Sequence, residues 1–118
     1  MVTRTVILTN NSQTTFSVNE LCPTLTIDLA ALSHNYKALL KKSGVAKLAT
    51  VVKADAYGLG IDNIVPVLEA AGCECFFVAT GSEANALRQI TVDNDIYIMN
   101  GLTCDGEELA DKKLAPCL

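Results

Sequence analysis

Apolar and polar positions alternate along this chain in two rhythms, short β-type runs and longer helical faces, and the two rhythms take turns. Thr24 to Asp28 alternates polar and apolar as a short strand does. Asp28 then suits the N-cap of a helix whose Leu29, Leu32, Tyr36, Leu39 and Leu40 recur at helical spacing. Lys37, Lys41 and Lys42 crowd its last turns, where positive charge complements the helix dipole, and Ser43-Gly44 ends it. Lys47 to Lys53 is mostly apolar and β-branched, the composition of a buried parallel strand. A loop from Ala54 to Gly60 comes after it. Next is a helix from about Asp62 to Ala71 with Ile61, Ile64, Val65 and Leu68 on one side, Pro66 within or just past its first turn, and Gly72 closing it.

The unit then repeats. Cys75 to Ala79 predicts a second buried strand, Ser82 caps a helix to about Ile90, and Asp95 to Met99 predicts a third strand. Asp105 suits the cap of a last helix with Glu107 and Glu108 early and Lys112 and Lys113 late, before the apolar segment Leu114 to Leu118. Residues 1–22, rich in Thr, Asn, Ser and Gln, lack periodicity and read as a loosely ordered N-terminal extension. Residues 23–118 read as one incomplete domain: strands alternating with helices predict right-handed βαβ units and a parallel sheet, and a chain ending inside an apolar segment leaves an unpaired edge. The pattern alone does not decide between an open sheet and a barrel.

Composition narrows the function classes. Nine basic against thirteen acidic residues give a formal charge of -4, with no basic stripe interleaved with aromatics, so nucleic acid is excluded as the expected partner. No apolar run approaches the roughly 20 residues that cross a bilayer, and the first ten residues make a poor secretory signal; the chain is read as cytoplasmic. Five cysteines, Cys22, Cys73, Cys75, Cys104 and Cys117, are read as free thiols. Cys73-Glu74-Cys75 lacks a second ligand pair at metal spacing, and His34 is the only histidine, so no metal site is expected.

In parallel α/β sheets ligands sit beyond the carboxyl ends of the strands, which directs attention to Lys53. A lysine following Ala-Thr-Val-Val is expected to be partly desolvated, which lowers the pKa of an ammonium group and leaves an amine that attacks aldehydes. Lysines that end strands also snorkel to solvent, and a loop tyrosine such as Tyr57 also serves by covering the core. Gly58 and Gly60 allow close backbone approach to a phosphate, but Gly-Leu-Gly followed by Asn63 is not the dinucleotide fingerprint. Singly, these residues are weak signals.

Together, Val51-Val52-Lys53-Ala54-Asp55-Ala56-Tyr57-Gly58-Leu59-Gly60 resembles the cofactor-attachment signature of the alanine racemase family, with Leu59 where the family more often has histidine. The likeness extends from Thr24 to Leu118 through Ile27-Asp28-Leu29 with Asn35, Leu68-Glu69-Ala70-Ala71-Gly72, and Val78-Ala79-Thr80 with Glu83 and Ala84. The resemblance implies an α/β fold in which the chain supplies the first three to four β/α units of a partial (β/α)8 TIM barrel. It also implies a cytoplasmic homodimeric isomerase that interconverts L- and D-alanine, supplying D-alanine for peptidoglycan.

By that likeness Lys53 would hold pyridoxal 5'-phosphate covalently through its amine and move a proton at Cα, Tyr57 would donate to the cofactor phosphate, and Met99 would stand beside the cofactor. The second base would be a tyrosine of a partner subunit, outside these residues, so the 118 residues alone are expected not to racemise alanine. Rival expectations are another pyridoxal-phosphate barrel enzyme, a decarboxylase or a racemase of another amino acid, and a non-catalytic truncated copy. A standalone nucleotide-binding βαβ protein is disfavoured by the glycine pattern.

Overall fold

The computed structural model describes residues 5–9, 24–101 and 112–117. Strands β1 (Thr5–Thr9) and β2 (Thr24–Asp28) form a two-stranded parallel sheet, with Thr5 opposite Thr24 and Thr9 opposite Asp28. The first of these strands is a correction to the sequence reading, which gave residues 5–9 to the loose extension. Helix α1 (Leu29–Ser43) starts where expected: Asp28 is extended, and its Oδ1 accepts from the Ala31 amide at 2.9 Å.

The main sheet has four parallel strands in sequential order: β3 (Thr50–Val51), β4 (Cys75–Val78), β5 (Asp95–Ile98) and β6 (Leu114–Pro116). Between them run α2 (Lys53–Gly58), α3 (Ile61–Ala70) and α4 (Gly81–Arg88). Right-handed crossovers between neighbouring parallel strands put the intervening helices on one face, so an order that never reverses is the winding of a β/α barrel and not of a doubly wound sheet. The expected helix beginning at Asp105 lies outside the described residues.

Burial agrees with this winding. Phe76, Val78, Ile96, Ile98 and Leu114 point to the helical side and pack with Ile64, Val65, Leu68, Ala84 and Leu87 in one core. Alternate positions Val51, Phe77, Tyr97 and Ala115 face one another in register on the opposite side. There the rings of Phe77 and Tyr97 stack with centroids 5.0 Å apart.

Three boundaries differ from the pattern or sharpen it. The β3 ladder covers only Thr50–Val51, which among the described residues pairs with β4 alone, and the Val52 amide extends it by one bond to the Phe77 carbonyl at 2.8 Å. Helix α4 is capped by Thr80, not Ser82: Thr80 is extended, its Oγ1 accepts from the Glu83 amide at 3.3 Å, and Ser82 falls inside the first turn. Gly72 does close α3, at φ 100°, with the Cys73 amide bonded to the Leu68 carbonyl and the Gly72 amide to the Glu69 carbonyl, a Schellman ending.

Cys73 and Cys75 are buried thiols, with Cys73 donating to the Cys75 carbonyl at 3.3 Å. Among the described residues no helix is long and apolar enough to cross a membrane.

Candidate active site

The carboxyl end of the main sheet gathers the residues singled out in the sequence. Lys53 follows β3 after Val52 and is half-buried, and Met99 comes directly after β5 with 45% of its surface exposed. The β4–β5 ladder continues beneath Met99, whose amide bonds to the Val78 carbonyl at 2.8 Å while the Asn100 amide bonds to that of Ala79 at 3.1 Å.

The segment after Lys53 is not an open loop. Ala54, Asp55, Ala56 and Tyr57 all lie near φ 52 to 56° and ψ 35 to 51°, so the chain makes a left-handed helical turn, and Gly58 continues it at φ 81°. For L-residues this conformation costs about 1–2 kcal/mol each, and a run of four non-glycine residues persists only when surrounding contacts over-determine it.

Those contacts are visible. The Ala56 amide bonds to the Val52 carbonyl at 3.0 Å, the Gly60 amide to the Asp55 carbonyl at 2.9 Å, and the Ala56 methyl is buried in the core. Asp55 Oδ1 accepts from the Ile61 amide at 2.8 Å, satisfying the first donor of α3, whose own N-cap residue Gly60 has no side chain to do so.

Glu83, in the first turn of α4, holds the other end. Its Oε1 accepts from the Ala54 amide at 2.9 Å, and its Oε2 accepts from the Ala79 amide at 2.7 Å and the Thr80 amide at 3.4 Å. Burial alone would raise the pKa of this carboxyl. The three amides, with the charge of Lys53 added, outweigh burial and hold it below the ordinary glutamate value. A negative charge is thereby fixed on the amide next to the lysine, within electrostatic reach of it.

Tyr57 leaves the turn 64% exposed, and among the described residues its hydroxyl has no hydrogen-bond partner. A cavity of about 170 Å³ lies behind the turn among Val52, Val78, Leu87, Asp55 and Glu83, but neither Lys53 nor Tyr57 lines it. The structure thus puts Lys53 and Tyr57 on one turn and Met99 on the same sheet end two strands away.

Sequence reasoning placed Glu83 and Asp55 only within a family likeness and gave them no role. The Thr-x-x-Glu spacing from Thr80 to Glu83 is a capping-box signature and was the available signal for the first.

Comparison with known proteins gives consistent matches. Residues 27–118 match the family described as alanine racemase, N-terminal domain. The alanine racemase of Rhizobium meliloti (strain 1021) is 48% identical over 85 residues, which take in 72% of this chain and 22% of that protein. The crystal structure of alanine racemase from Bartonella henselae with covalently bound pyridoxal phosphate superposes with a TM-score of 0.70 at 38% identity, over 76% of this chain and 26% of that one. The histidine racemase from Leuconostoc mesenteroides subsp. sake superposes with a TM-score of 0.64 at 27% identity, over 73% of this chain and 23% of that one. The 118 residues therefore span about a fifth to a quarter of the length of these relatives.

Proposed function

This chain belongs to the alanine racemase family, and from that membership we propose that it is the lysine-bearing N-terminal part of a pyridoxal-phosphate-dependent enzyme that interconverts L- and D-alanine. The observation that carries the reading is the position of Lys53, half-buried at the carboxyl end of a parallel strand and leading into a turn locked from both ends. An amine held there fits the aldehyde of the cofactor, which when bound supplies an electron sink for the negative charge left at Cα. Lys53 would hold the cofactor and, once released, carry a proton to or from one face of Cα. The exposed Tyr57 hydroxyl, without a protein partner of its own among the described residues, would donate to the cofactor phosphate. Met99 would supply an apolar wall from the strand end two strands away.

One lysine reaches one face of Cα. The opposite face needs a second acid–base group, which the family resemblance gives to a tyrosine of a partner subunit, so the active assembly is proposed as a homodimer. Supply of D-alanine for peptidoglycan would be its role.

The test is to mix the chain with pyridoxal phosphate, reduce with borohydride and locate the pyridoxyl group by peptide mass spectrometry. Label confined to Lys53 is expected. Label spread over the exposed Lys37, Lys41, Lys42 and Lys47 would sink the assignment of Lys53. A second reading keeps the cofactor and changes the amino acid: the likeness to the Leuconostoc histidine racemase means that this lysine-bearing portion accompanies more than one side-chain specificity among its relatives. Assaying a panel of amino acids with the full-length protein separates the two.

A further inference from the structure

We propose that Glu83 is a positioning residue for Lys53, its carboxylate bridging the ends of β3 and β4 and fixing the handedness with which the chain leaves the lysine. The inference rests on the cofactor-lysine reading of Lys53 given above.

Both oxygens of Glu83 are engaged, and in different directions. Oε2 faces its own helix start, taking the Ala79 and Thr80 amides at 2.7 and 3.4 Å. Oε1 reaches across to the Ala54 amide at 2.9 Å, a partner 29 residues earlier and the first residue of the left-handed run. Ala54 is adjacent to Lys53, so the direction of its N–H sets the peptide plane from which the lysine side chain departs. A helix cap needs only the Oε2 contacts. The Oε1 contact is surplus to capping and serves the turn. The charge of Lys53 also stabilises the carboxylate, so the two side chains lie within electrostatic reach of each other.

Glutamine separates the two roles. Its single carbonyl oxygen can replace Oε2 and keep the cap, but its NH2 group then meets the Ala54 N–H donor to donor. Glu83→Gln should therefore keep the α4 cap and lose the bridge, whereas Thr80→Ala should weaken the cap and keep the bridge, since the Ala54 bond does not involve the Thr80 hydroxyl.

Two measurements on the 118-residue chain and both variants decide the matter. In amide hydrogen exchange, Glu83→Gln should exchange the Ala54 amide about tenfold faster or more, and Thr80→Ala should leave it protected. In borohydride labelling, Glu83→Gln should need about tenfold more pyridoxal phosphate for the same occupancy of Lys53, while Thr80→Ala labels as the unaltered chain does. An Ala54 amide as protected in Glu83→Gln as in the unaltered chain would overturn the proposal. So would equal loss of Lys53 labelling in both variants, which would assign the effect to the helix cap. If the unaltered chain itself fails to select Lys53, the cofactor reading falls, and the exchange measurement still decides whether Glu83 holds the turn.

Discussion

Tyr36 donates its hydroxyl to the Leu48 carbonyl at 3.2 Å, tying the middle of α1 to the segment that leads into β3. Burial first, then the proximity of the acidic groups of Cys73, Glu74 and Cys75, pushes its pKa up from 10.0 to about 12. The folded value lies above the unfolded one, so the fold binds the phenolic proton more tightly. That stability is complete below about pH 10 and is lost as pH rises towards about 12. Urea midpoints followed across this alkaline range should fall more steeply for the unaltered chain than for Tyr36→Phe; parallel curves would show that Tyr36 does not carry the effect.

Lys53→Ala should abolish pyridoxyl labelling at the site without labelling a neighbour in its place. By itself the 118-residue chain should racemise alanine no faster than this variant does, because one lysine serves one face of Cα. A clear turnover rate above the Lys53→Ala control, followed by chiral analysis of alanine, would refute that expectation.

Tyr57→Phe should leave stability within about 0.5 kcal/mol of the original, since the ring is exposed and its hydroxyl unpaired among the described residues. Half-maximal labelling of Lys53 should need roughly ten to a hundred times more pyridoxal phosphate, the range expected for loss of a hydrogen bond to a charged group. An unchanged concentration dependence would remove Tyr57 from the cofactor site.

The sense of the turn after Lys53 has its own test. Ala54→Gly keeps the amide that Glu83 holds and relieves a left-handed alanine, so it should raise stability by about 0.5–1 kcal/mol after the flexibility of the unfolded glycine is counted. In a right-handed helix the same change destabilises by about 1 kcal/mol, so the sign in urea denaturation separates the two backbones. Ala56→Val, placing a β-branched side chain at a buried left-handed position, should destabilise by about 2 kcal/mol or more.

The parts of this fold that sequence patterns revealed are those decided locally. Asp28 caps α1 through a bond to Ala31, three residues on, and the apolar strands Cys75–Val78 and Asp95–Ile98 stand within one residue of their predicted bounds. The left-handed turn was not legible because no residue from Ala54 to Tyr57 prefers it. Its conformation is imposed by Glu83 from 29 residues away and by the burial of Ala56. Strand β1 was hidden for a related reason: Thr5–Thr9 becomes a strand by pairing with Thr24–Asp28, across a connection that carries no periodic signal. At the candidate site Lys53 and Tyr57 were found through a motif, whereas Glu83, whose importance lies in where its two oxygens point, needed coordinates.

Helix α4 holds Glu83 near its start and Arg88 at its end. While Glu83 clasps the amides above the carboxyl ends of β3 and β4, the Arg88 guanidinium donates to the carbonyls of Thr91, Val92, Asn94 and Lys113 at 2.9 to 3.3 Å, around the segments that enter β5 and β6. The helix is thus a tie bar of about 12 Å at 1.5 Å per residue, anchored by an acid at its positive pole and a base at its negative pole. A load applied to the far rim of the sheet, where Arg88 is fastened, would be passed along a rigid member to the peptide bond beside Lys53.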